Sequence, residues 1–154
     1  MASAIRPGQY QIPDSVPVPL GNYRAVVVRG AIGFVSGQFP IREGKLAFRG
    51  KVGVELTPEQ GREAAALCAL NVLGQLRNAL GKDFDRVEIG RIDGYIASGP
   101  QFFGQPGVLD GASDVFVDVL VERGMHARAV FAVVQLPQDA PVELVVTFAL
   151  ADAA

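Results

Sequence analysis

Two apolar runs near the end of the chain limit its fold more than any other feature. Residues 129–136, "AVFAVVQL", are apolar on both faces except for Gln135, and residues 144–150, "LVVTFAL", are nearly so. Runs of this length and composition read as strands covered on both sides. The intervening "PQDA" predicts a turn, and with it a hairpin of strands 129–136 and 142–150. Two charges interrupt this apolar region, Arg128 at the head of the first run and Glu143 inside the second. A tight hairpin would set Glu143 opposite residue 134 or 135 and leave Arg128 about 20 Å away at ~3.3 Å per residue. The two are therefore not expected to touch within one subunit.

The rest of the chain predicts what could cover these strands. The first twenty residues hold Pro7, Pro13, Pro17 and Pro19 with little periodicity, the pattern of an extended arm over residues 1–20. A single domain is expected over residues 21–154, because 154 residues with 49% hydrophobic content suffice for one core and not for two. "YRAVVVRGAIGFVSGQFP" splits at "RGA" into a hairpin ended by Pro40, and "LAFRGKVGVEL" offers one or two further short strands. Thr57 is placed as the N-cap of a helix, with Pro58 at its first position, Gln60 closing a capping box and Gly81 as its stop. Ala65, Cys68, Ala69, Val72, Leu76 and Leu80 give that helix an apolar stripe.

Alternation in "FDRVEIGRIDGYIAS" predicts a central strand with Val87, Ile89 and Ile92 on one face. A loop rich in Gly and Pro follows, then a second helix over about residues 111–122 with Val115, Phe116, Val119 and Leu120 turned inward. Asp114, Asp118 and Glu122 recur every fourth residue on its other side, a solvated face rather than a metal site. The expected order is β-β-α-β-α-β-β, an α+β domain. Two helices cover only one face of such a sheet, so the other is expected to meet further copies of the chain in a closed homo-oligomer.

Charge and residue usage narrow the chemistry. A formal charge of −2, with 14 Lys and Arg scattered singly, leaves no basic stripe for a phosphate backbone, so nucleic acid is not the expected partner. One His and one Cys cannot build the common closed zinc sites, and no metal or cofactor is expected. Cys68 reads as a small core residue and a reduced thiol. The absence of a signal-like start and of any run long enough to span a bilayer places the chain in the cytoplasm, away from membranes.

One motif is Ala127-Arg128, "AVFAVVQ", Leu136-Pro137, "QDAP" and Val142-Glu143-Leu144; a second, far away in the chain, is "NYRAVVVRGAIGFVSGQFP", with Tyr23 ahead of Ser36-Gly37-Gln38 and Pro40. Together these resemble the RidA/YjgF family, formerly labelled endoribonuclease L-PSP. "DGASDVFVDVL" is similar to the second helix of the family's longer-loop branch. The resemblance implies a chorismate-mutase-like fold, a mixed sheet with two helices on one face, assembled as a homotrimer with clefts between subunits. It implies hydrolysis of reactive enamines and imines such as 2-aminoacrylate, the activity of a 2-iminobutanoate/2-iminopropanoate deaminase.

By the same resemblance Arg128 would grip the substrate carboxylate and Glu143 would orient the attacking water. Tyr23, Ser36 and backbone N–H groups near Gly37 would line the cleft. Asp110 stands where many members have Asn, and would repel an acidic ligand unless it caps the following helix. Val130 replaces a frequent Cys, and His126 replaces a Pro and reads as a loop residue rather than a catalytic base. On this reading the partner of the arginine is the ligand. A carboxylate-binding module without catalysis is the alternative, and an endoribonuclease fits the charge poorly.

Overall fold

In the computed structural model, residues 9–153 are described; residues 1–8 of the expected arm and residue 154 lie outside that range. Strands β1 (Val26–Arg29) and β2 (Ile32–Gln38) form the hairpin turned at Gly30. A small hairpin follows, β3 (Ile41–Arg42) with β4 (Lys45–Leu46), and leads to helix α1 (Pro58–Leu80). Its capping box is complete: Gln60 N–H donates to the Thr57 hydroxyl while the Thr57 N–H donates to the Gln60 side chain. Strand β5 (Val87–Ala97), helix α2 (Gln105–Leu120), strand β6 (Ala127–Val133) and strand β7 (Val142–Leu150) complete the chain.

The main sheet runs β1-β2-β7-β5-β6, with β5 and β6 parallel and the other neighbours antiparallel. The expected hairpin of the last two strands does not form. β6 lies parallel to β5, joined to it through α2 as the crossover, while β7 inserts between β2 and β5. A strand–helix–strand unit closes most readily as adjacent parallel strands, and this wins over the short turn at 137–139. Glu143 is therefore opposite Tyr95 on β5, not residue 134 or 135.

Val142, Leu144, Val146 and Phe148 of β7 are buried under the helices. Val87 and Ile89 join them from β5, and so do Ile92 and Ile96, although the two pairs differ in parity. A register shift between Ile89 and Arg91 inserts the extra residue that lets both halves of β5 face the core. α1 and α2 pack on each other and on this one face, with Ala65, Cys68, Ala69, Val72 and Leu76 fully buried. The Cys68 thiol is raised well above its ordinary value by burial and reaches only the Val142 carbonyl, consistent with an inert core residue.

α2 begins six residues earlier than expected. Pro106 sits in its first turn, where a missing N–H costs nothing, so the Gly- and Pro-rich stretch starts a helix instead of extending a loop. At Gly111 the helices come so close that a Cβ would overlap the Arg62 carbonyl. The opposite face of the sheet carries Ile32 and Phe131 in the open, with Phe34 48% exposed. Among the described residues no helix is long and apolar enough to cross a membrane.

The helix contact yields a test. Gly111→Ala should force α1 and α2 apart and cost about 1–3 kcal/mol, as overpacking of a tight contact does. Urea unfolding should show a lower midpoint at unchanged slope; an unchanged midpoint would mean that the close approach is not required.

Candidate functional site

The residues singled out by sequence fall into two groups on opposite faces of the sheet. Arg128 pairs across the ladder with buried Ile92, so it points to the helix side at the free edge formed by β6. Glu143 alternates with buried Val142 and Leu144, so it points to the open side. One strand, β5, separates them. A single chain therefore does not bring Arg128 and Glu143 together.

The Glu143 group is built by a bulge. Val35 pairs with Val146 and Gln38 with Leu144, so Ser36 and Gly37 together stand opposite Val145. Gly37 has no side chain, and a Cβ there would overlap Glu143 Oε1, so the glycine makes the space the carboxylate occupies. Tyr95 lies beside Glu143 on β5 and stacks on Phe131 with ring centroids 5.2 Å apart. Burial pushes the Glu143 carboxyl above its ordinary value. The Ser36 hydroxyl donates to the Arg24 carbonyl at 2.7 Å, which ties the segment carrying Tyr23 to β2.

Tyr23 and Gly37 share a cleft of about 420 Å³ with Gln38, Phe39, Gln75 and residues 15–20 of the arm. The arm is anchored on α1, where the Gln75 side chain donates to the Pro17 carbonyl at 2.6 Å and Arg77 reaches Ile12, Pro13 and Asp14. Arm residues thus wall one side of the cleft.

The Arg128 group is a polar cluster between β6 and α2. Arg128 Nη2 pairs with Asp110 Oδ1 at 2.9 Å and reaches the Pro106 carbonyl at 3.4 Å, while Nη1 donates to the Ser113 hydroxyl at 3.0 Å. The arginine thus has partners within the chain, not an open hand for a ligand alone. Asp110 does not cap a helix; it lies inside α2, 3.9 Å from Arg62 as well, and Arg62 also pairs with Asp114. Of the expected acid row, Asp114 is therefore half of an ion pair between the helices. Val130, two residues beyond Arg128, packs half-buried against the core, apart from Tyr23 and Gly37.

Ser113 is the functional candidate that sequence reasoning missed. A serine in mid-helix carries little signal by itself, but Asp110 and Ser113 are spaced i, i+3 on one helix face. That spacing, with an arginine expected on the neighbouring strand, was the available clue.

A mixed sheet with two helices on one face, a bulge-seated carboxylate and an edge arginine define an α+β domain of the chorismate-mutase-like type. The family model described as "YjgF/chorismate_mutase-like, putative endoribonuclease" matches residues 5–151. Protein TCP17 of Trypanosoma cruzi is 40% identical over 128 residues, covering 82% of this chain and 79% of that protein. The crystal structure of Atu1372 from Agrobacterium tumefaciens, a protein of unknown function, superposes with a TM-score of 0.85 at 34% identity, over 92% of this chain and 86% of that one. Escherichia coli TdcF with bound serine shares the fold at a TM-score of 0.64 and 19% identity, over 91% and 96%. The chain belongs to the YjgF family, the RidA/YjgF family of the resemblance above.

The raised Glu143 carboxyl has a measurable sign. Its proton is held more tightly in the folded chain, so the stability it contributes is present below the usual carboxylate pKa and is lost as pH rises through the raised value. Glu143→Gln cannot lose that proton and should gain stability relative to wild type between acid and neutral pH. Chemical denaturation of both proteins at the two pH values checks this, and a difference that stays constant or shrinks would contradict it.

Proposed function

We propose that this chain hydrolyses reactive enamines and imines of small amino acids to the keto acid and ammonia, in carboxylate-binding clefts between the subunits of a homotrimer. The observation that carries the reading is the placement of Arg128 and Glu143 on opposite faces of one sheet in a member of this family. A second copy laid on the open face would cover Ile32, Phe34 and Phe131 and could carry its own Arg128 edge to Glu143. The serine bound in TdcF is a ligand of the size and charge such a cleft would take.

In this reading Glu143 takes a proton from the attacking water as its oxygen bonds to the imine carbon and passes it to nitrogen, giving a carbinolamine; it then moves the hydroxyl proton to nitrogen as the C=O bond forms, the C–N bond breaks and ammonia leaves. A carboxyl raised by burial is suited to both halves of that exchange. Arg128 grips the substrate carboxylate. In the free chain Asp110 occupies that place on the guanidinium, and when a ligand displaces it Arg62 remains within reach. The family description also carries an endoribonuclease, but a net charge of −2 offers no cationic track for RNA.

A pyridoxal-phosphate dehydratase acting on serine or threonine would supply the unstable enamine. Wild type should accelerate keto acid release, and Arg128→Ala should lose about a hundredfold or more in kcat/KM, as two charge-assisted bonds of ~1.5 kcal/mol or more imply. No acceleration by wild type, or full activity in Arg128→Ala, would overturn the reading; wild type that binds the ligand without any turnover, with an affinity unchanged in Glu143→Gln, would favour a binding module. Asp110→Asn should lower KM by up to about fivefold, because the exposed pair it removes is worth at most ~1 kcal/mol. A raised KM would show that Asp110 assists the ligand instead of competing with it.

A further inference from the structure

Arg128 is held by a chain of hydrogen bonds whose direction can be read from its far end. The chain starts in the 3-10 turn Val121–Gly124, which closes tightly over the end of α2 because Gly124 has no Cβ to strike the Phe116 carbonyl. The turn aims the Gly124 carbonyl at His126 Nδ1, 2.6 Å away. A carbonyl only accepts, so Nδ1 must carry the proton. In the neutral ring Nε2 is then a lone pair, and it faces the Ser113 hydroxyl at 3.0 Å. The serine O–H therefore donates to His126, and its oxygen lone pairs are turned to Arg128 Nη1 at 3.0 Å. Phe116 meets the imidazole edge to face, with centroids 6.0 Å apart, and fixes the ring plane.

We propose that Ser113 is a positioning residue for Arg128, oriented by His126 in the Nδ1–H tautomer. The inference rests on the reading that Arg128 grips the substrate carboxylate, and it adds what aims the guanidinium. Asp110 supplies charge to the arginine from one side, while Ser113 fixes its rotation from the other. A side chain with as many rotamers as arginine presents its two-pronged face reproducibly only when its other N–H groups are tied. With Nε2 as the acceptor, the serine hydrogen is committed to His126 and both oxygen lone pairs are left for Arg128.

The chain has a single histidine, so nitrogen NMR of tag-free protein labelled with ¹⁵N reports His126 without assignment. At a pH where the ring is neutral, the protonated nitrogen should be Nδ1, against the Nε2–H form usual in water; an Nε2–H ring would overturn the proposal. Calorimetric titration with 2-oxobutanoate, a keto acid product of the proposed reaction, supplies the second readout. Ser113→Ala should weaken binding about tenfold with thermal stability unchanged, and Ser113→Thr should restore it. Equal affinity in wild type and Ser113→Ala would overturn the positioning role while leaving the carboxylate reading intact. Failure of wild type to bind 2-oxobutanoate would overturn the carboxylate reading and this role with it.

Discussion

Side-chain alternation along the strands of one sheet is the constraint on which the rest of this structure depends. Val142, Leu144, Val146 and Phe148 must face α1 and α2 to build the core, and that fixes Glu143 to the opposite side. Ile92 is buried from the same side, and its ladder partner Arg128 is thereby committed to the helix face. The core thus separates the two charges that interrupt its strands. A register slip of one residue would exchange both faces at once, so neither residue can move toward the other without loss of the core.

Much of this was legible because local physics and tertiary packing agree. The Thr57-Pro58-Gln60 box, the turn at Gly30 and the stop at Gly81 each satisfy backbone groups that any context would leave wanting. The pairing of β6 was not legible. A short turn between two apolar runs reads locally as a hairpin, whereas the partner is chosen by the α2 crossover and by the space between β2 and β5. Nor was the full extent of α2, since Gly104 and Pro106 mark loops as often as helix starts.

The two charged positions differ in how much sequence could say. Glu143 was recognisable from its motif and Gly37 was expected to line its cleft, although the bulge whose glycine admits the carboxylate was not foreseen. Arg128 was recognisable too, but its surroundings were not. Asp110 and Ser113 reach it only because α2 starts early enough to lay residues 106–113 along β6. Within the single chain the arginine is consequently paired with Asp110 and hydrogen-bonded to Ser113.

The central claim is that one site needs Arg128 from one copy and Glu143 from another. Co-expression of Arg128→Ala and Glu143→Gln chains, each inactive alone, tests it directly through enamine hydrolysis by the mixed assembly. With random mixing each site has an even chance of an intact arginine and, independently, of an intact glutamate, so about a quarter of wild-type activity should return. A mixed assembly as inactive as either variant alone would contradict a site shared between chains.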